Sequence, residues 1–188
     1  MFRRKHDFKP DRPGNRLLSK LYVTRKQRLR LLKWTLFSLC MVAMSLLQDV
    51  ILPDLPVDPV ACGIILTALL LQPDQSGIFC LIASLLFYFS GSAPGPYAIA
   101  LLTFIPLLLN IFRHSYLRKS FGSVLLCAGT ALMLYELAVF SIGAFLGSTI
   151  PSRFETFLFT GLSGLVLMPL LYPILVSIGK IGGEPWKD

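Results

Sequence analysis

Apolar residues in this chain come in long blocks, not in two-residue alternation or a one-sided helical stripe. A helix that crosses lipid must be apolar on every side over about 20 residues, so long blocks point to a membrane protein. Six blocks stand out, at about 31–47, 57–71, 77–89, 97–112, 124–146 and 157–178. The pattern predicts an all-α polytopic membrane protein with six transmembrane helices. Lys33 and Trp34 open the first block as interfacial anchors. The second and third blocks are short for a perpendicular span, and only Gln72-Pro73-Asp74-Gln75-Ser76 separates them. They read as two thin helices or as one re-entrant hairpin. Two spans are favoured, because the loop between the fourth and fifth blocks then obeys the charge rule. In the sixth block Pro169 and Pro173 remove two backbone donors and predict a kink. Gly161 and Gly164 there, and Gly143 in the fifth block, permit close helix contact.

Composition agrees with that class. Of 188 residues, 54% are hydrophobic and 15% charged, and the mean hydropathy is +0.68. A soluble domain carries about 25% charge, so a water-soluble domain and a disordered chain are both poor fits. The net charge of +8 is unevenly placed. Eleven of the 18 basic residues lie in the first 30 positions, opposed only by Asp7 and Asp11. The other 158 residues sum to −1, so the high pI describes a tail and not a basic fold.

That asymmetry sets an orientation. With the N-terminus inside, 16 basic residues fall on the cytoplasmic side and only Arg153 outside. This is the positive-inside pattern, and it predicts both termini in the cytoplasm. The chain then divides into a basic tail over 1–30, a transmembrane domain over 31–180 and a short C-terminus over 181–188. Arg25, Lys26, Arg28, Arg30, Arg118 and Lys119 are the basic residues expected at the membrane surface, where anionic lipids attract them. Leu17, Leu18, Leu21 and Tyr22 recur at helical spacing among basic residues. That suits an interfacial helix, though an unstructured basic leader fits as well. The tail has Phe2, Phe8 and Tyr22 but no repeated aromatic-basic pattern, so no nucleic acid is expected as a partner. No small-x-small site follows the first block, which reads as a retained span.

Reactive chemistry is sparse. Cys40, Cys62, Cys80 and Cys127 sit in apolar blocks without a C-x-x-C pair, as packing residues, and offer no disulfide or metal framework. His6 and His114 are the two histidines, and no nucleophile, phosphate-loop or metal motif appears. No enzyme, cofactor or metal is expected. Within the predicted spans one ionisable residue stands out, Glu136. A carboxyl in hydrocarbon must face the bundle interior, a cavity or a partner helix, or carry a proton. Its role is either a polar contact to a partner or ligand, or a structural bond to a neighbouring helix.

Two loops carry further signals. The first outer loop has Gln48, three aspartates and three prolines in apolar surroundings, which suit a tight hairpin and match no calcium loop. Pro59 fits the first turn of the second helix and Asp58 its N-cap. The third loop includes Ser90, Gly91, Ser92, Pro94, Gly95 and Pro96, a turn whose glycines permit positive φ.

These pieces resemble the MreD family of rod shape-determining proteins, small bacterial inner-membrane proteins. The matching residues are Leu46-Leu47-Gln48, Asp58-Pro59, the turn at Pro73, Ser90-Gly91-Ser92 with Gly95, and Glu136, in that order over about 31–180. Members often carry an acidic residue before the Ser-Gly-Ser turn. Here Leu85 to Ser90 has none, and Ile82, Ala83 and Ser84 stand where glycines are usual. The resemblance implies a non-catalytic scaffold of the peptidoglycan elongation complex. It would bind the bitopic protein MreC and, through it, act with MreB, RodA and a class B penicillin-binding transpeptidase. The family fold is similar to S-components of energy-coupling-factor transporters, so the alternative is a vitamin-binding S-component. The first span has Ala43 and Ser45 but no Ala-x-x-x-Ala for docking a coupling subunit, which argues against that alternative.

Overall fold

A helix with few residues cannot shield its own backbone ends in lipid, so where the shortest helix sits decides the architecture. The computed structural model describes residues 25–51, 56–91, 93–117, 120–147, 150 and 153–181. Six α-helices follow in order: α1 Arg25–Leu46, α2 Pro59–Leu70, α3 Pro73–Phe89, α4 Tyr97–Tyr116, α5 Phe121–Phe145 and α6 Phe154–Gly179. A π-helical turn, Leu47–Ile51, extends α1. The described chain is all-helical, and four stretches are long and apolar enough to cross a membrane, in α1 with its π turn, α4, α5 and α6. Helices α2 and α3, with 12 and 17 residues, are shorter.

The shortest helix is the centre. All twelve residues of α2 are buried, and α2 packs against each of the other five helices. Around it the neighbours run α3–α4, α4–α5, α5–α6 and α6–α1. Between α1 and α3 the ring has a gap, bridged at one end by Trp34 and Phe37 against Phe79, with ring centroids 6.1 and 6.2 Å apart.

Both ends of α2 are satisfied by protein. At its start Pro59 occupies the first turn, where the missing N–H costs nothing, and the Asp58 side chain accepts a bond from the Ala61 N–H at 2.9 Å. At its end the Asn110 amide of α4 donates to the carbonyls of Ala68 (2.9 Å) and Leu71 (3.1 Å). A 12-residue helix, roughly 18 Å long at 1.5 Å per residue, therefore sits inside the bundle with protein bonds at each end.

Glycines set the closeness of α6 to its neighbours. A Cβ at Gly164 would lie 2.5 Å from Leu132 Cδ2 on α5 and 3.0 Å from Cys62 Sγ on α2. The Cys62 thiol donates to the Gly164 carbonyl at 3.9 Å. Gly164→Val is expected to destabilise the fold by about 1–3 kcal/mol, the usual cost of overpacking. Thermal unfolding in detergent checks it, and Ser163→Val, one residue away and half-buried, is the milder comparison.

Two expectations need correcting. The sequence pattern ends the fourth block at 112 and puts Arg113 in a cytoplasmic loop. Instead α4 continues to Tyr116, and Arg113 is buried on the face that also carries Asn110, Pro106 and Leu102. Its guanidinium lies 3.3 Å from His114 Nδ1. Glu136 is therefore not the one buried ionisable residue among the helices. The first helix also reaches back to Arg25, so the basic stretch 25–30 is helical and continuous with the apolar block.

Candidate functional site

Glu136 lies on α5, the sixteenth of its 25 residues, and is only 7% exposed. Its helix presents Ala128, Ala131, Leu132, Tyr135 and Val139 to the bundle, while Leu126, Leu134 and Leu137 face outward. Glu136 falls at the border between the two faces. Gly161 of α6 packs against the same turn: a Cβ there would crowd Met133 Sδ at 2.8 Å and stand in ordinary contact with Glu136 Cγ at 3.8 Å.

On its outward side Glu136 lines a groove of about 540 Å³ between α5 and α6. The other walls are apolar apart from Thr130: Leu126, Gly129, Met133 and Leu137 on one side, Phe154, Phe157, Leu158 and Leu165 on the other. Phe140 closes one end against Phe154 (5.2 Å between centroids) and Phe157 (5.1 Å). Among the described residues no donor and no cation reaches the Glu136 carboxyl. An apolar trough with one carboxyl in its floor suits a helix that brings a polar side chain of its own.

On its inward side Glu136 is within electrostatic range of Asp58, the cap of α2. The Tyr135 hydroxyl is in range of both carboxyls and of Tyr97. That hydroxyl belongs to a side chain 1% exposed and has no hydrogen-bond partner among the described residues. Ser163 donates to the Pro56 carbonyl and so ties the loop before Asp58 to α6.

A second groove, also about 540 Å³, occupies the gap between α1 and α3. Trp34, Met41 and Ser45 line one wall, Ile78, Ile82 and Leu86 the other, and Val60 and Ile64 of α2 form the floor. It contains no ionisable side chain among its lining residues.

The other residues singled out by the sequence are scattered. Pro59 shares the start of α2 with Asp58 and so belongs to the Glu136 neighbourhood. Gln48 sits half-buried in the π turn, its Oε1 buried and unbonded. Ser90 donates to the Phe87 carbonyl at 2.7 Å and borders the α1–α3 groove. Gly91 takes a φ of +81°, the conformation a turn asks of glycine, and Gly95 lies under the Tyr97 ring. Arg25, Lys26, Arg28 and Arg30 occupy the first turns of α1. Ser92, Arg118, Lys119 and the 17–22 segment lie outside the described residues. Sequence reasoning missed Asn110 and Tyr135. An asparagine inside an apolar block is a signal for buried polar bonding, whereas tyrosine is too common in such blocks to give one.

Fold and site together define a class: an all-helical bundle with four helices fit to cross a membrane, and one carboxyl opening on an apolar groove. Against family models, curated proteins and solved structures, the chain finds no match.

Proposed function

We propose that this protein is a non-catalytic membrane scaffold of the MreD type, part of the bacterial machinery that elongates peptidoglycan and maintains cell shape. The six-helix bundle lies in the inner membrane, with α2 enclosed by the other five helices, both termini cytoplasmic and the basic tail on anionic lipid. Its task is to hold the single transmembrane helix of MreC, and through MreC to join MreB, RodA and a class B penicillin-binding transpeptidase. The observation that carries this reading is Glu136, a carboxyl without a donor among the described residues, set in an apolar groove between the two longest helices.

The physics favours a protein occupant there. Apolar surface gains nothing by leaving lipid for a groove, so packing and polar contacts must drive association between helices. The groove supplies shape, and Glu136 supplies the polar contact. Gly129 and Gly161 hold α5 and α6 close together, since a Cβ would stand 2.7 Å from Leu165 Cδ2 at the first and 2.8 Å from Met133 Sδ at the second.

Pull-down of the detergent-solubilised full-length protein from native membranes is expected to recover MreC. Glu136→Leu should lower that recovery strongly, by about tenfold if the contact is worth the roughly 1.4 kcal/mol of a good intramembrane hydrogen bond. Recovery unchanged from that of the unaltered protein with both Glu136→Leu and Glu136→Gln would remove Glu136 from the docking site. A purified protein that retains a vitamin would overturn the scaffold in favour of an S-component.

A further inference from the structure

The inward side of Glu136 says more about the occupant than the groove does. One carboxyl in an apolar wall is satisfied by any neutral donor, such as an amide or hydroxyl. Here a second carboxyl, Asp58, stands within electrostatic range of the first, and the two repel when both are ionised. Within range of both groups, the Tyr135 hydroxyl is buried and unbonded among the described residues, although it carries both a proton to give and lone pairs to offer. Cys62, on the first turns of α2, is in range of the same two carboxyls and adds no positive charge. Of the helices packed around this point, α2 contributes Asp58 and Cys62, α4 contributes Tyr97, and α5 contributes Tyr135 and Glu136. From α6 come only Gly161, Gly164 and the Ser163 hydroxyl, which is committed to carbonyls. Every titratable group that meets here is neutral with its proton and negative without it, and no cation from this chain balances them among the described residues.

We infer that the α5–α6 groove receives a transmembrane helix bearing a lysine or arginine, whose cation seats on Glu136 with Asp58 and Tyr135 behind it. The inference rests on the scaffold reading and names the chemistry of its partner. Charge complementarity selects the occupant: an unpaired cation in a single membrane-spanning helix is as costly as an unpaired carboxyl, and docking removes both costs at once. A lipid chain or an all-leucine helix fills the apolar trough but leaves the carboxyls as they were. The Thr130 hydroxyl in the groove wall donates its proton to the Leu126 carbonyl at 2.9 Å, so that proton does not serve the Glu136 carboxyl.

Depth fixes where the cation must sit. Glu136 is nine residues from the last residue of α5, roughly 14 Å along the axis. It is thus close to the middle of its helix, and a partner residue near mid-span meets it in either orientation.

The test uses full-length protein in phosphatidylcholine vesicles, where the basic tail finds no anionic lipid. Designed leucine-alanine transmembrane peptides carry leucine, glutamine or lysine at the central position, and energy transfer from a labelled protein reads binding. Lysine is expected to bind about tenfold tighter than leucine, with glutamine between, and Glu136→Gln to shrink the lysine advantage below about threefold. Asp58→Asn keeps a good N-cap and is expected to reduce the advantage in part. Equal binding of lysine and leucine peptides overturns the inference, and so does glutamine matching lysine, since a hydrogen bond then suffices. The peptide series on the unaltered protein decides this even where a variant fails to fold. MreC recovery with no lysine preference sinks the cation and leaves the scaffold. A lysine preference without MreC recovery does the reverse.

Discussion

Asn110→Leu is expected to destabilise the bundle by about 1–3 kcal/mol for each of two carbonyls, because each is left buried without a donor. The reasoning starts from the length of α2. Its last carbonyls have no partner within a 12-residue helix, and they end inside protein, away from the interfacial water that would satisfy them. One side-chain amide answers two of these acceptors, at 2.9 and 3.1 Å, and Asn110 is fully buried while doing so. Leucine has the same branched skeleton of heavy atoms but bulkier ends, so a packing cost adds to the polar loss. Because α2 touches every other helix, loosening its end loosens the whole bundle. The measurement is thermal unfolding in detergent, followed with a thiol-reactive dye, since Cys62, Cys80 and Cys127 are buried and report opening. An unchanged midpoint would mean that water already reaches those carbonyls.

The same helix shows what the sequence could and could not convey. Six apolar blocks are legible because a membrane helix must be apolar throughout, and each block contains a helix. The start of α2 was legible too, since Asp58-Pro59 is a local signal: a side-chain acceptor followed by a residue with no N–H to satisfy. The centrality of α2 was not. A block apolar on every side does not record which faces meet protein and which meet lipid, so length alone made α2 look marginal when it is the core. Arg113 misled for a related reason. A charge at the end of a block reads as the start of a loop, whereas a long side chain on an inward helix face can stay in the helix and be covered by its neighbours. Glu136 was visible as a lone carboxyl, but the company it keeps is assembled from four helices. No spacing along the chain announces that Asp58, 78 positions earlier, is its electrostatic neighbour.

Filling the α5–α6 groove without touching Glu136 is expected to abolish partner recovery. Thr130 and Leu134 line that groove and are exposed, so tryptophan at either position projects into the trough and leaves the core intact. Thr130 gives up only a bond to its own helix, to the Leu126 carbonyl, so stability should hardly move. If the partner helix lies between α5 and α6, the inserted ring takes the place of a packed side chain at the centre of the contact. Such central losses run to about 2 kcal/mol or more, which is a drop in affinity of well over tenfold. The control uses the other groove. Ile82→Trp fills the α1–α3 gap, of equal volume, where no lining residue is ionisable. Recovery of MreC should survive Ile82→Trp and fail with Thr130→Trp and Leu134→Trp, each verified as folded by its melting curve. The opposite pattern would move the docking site to the gap in the ring. The carboxyl would then be one half of an internal arrangement with Asp58 and Tyr135, and the partner would be chosen by shape over the floor of α2.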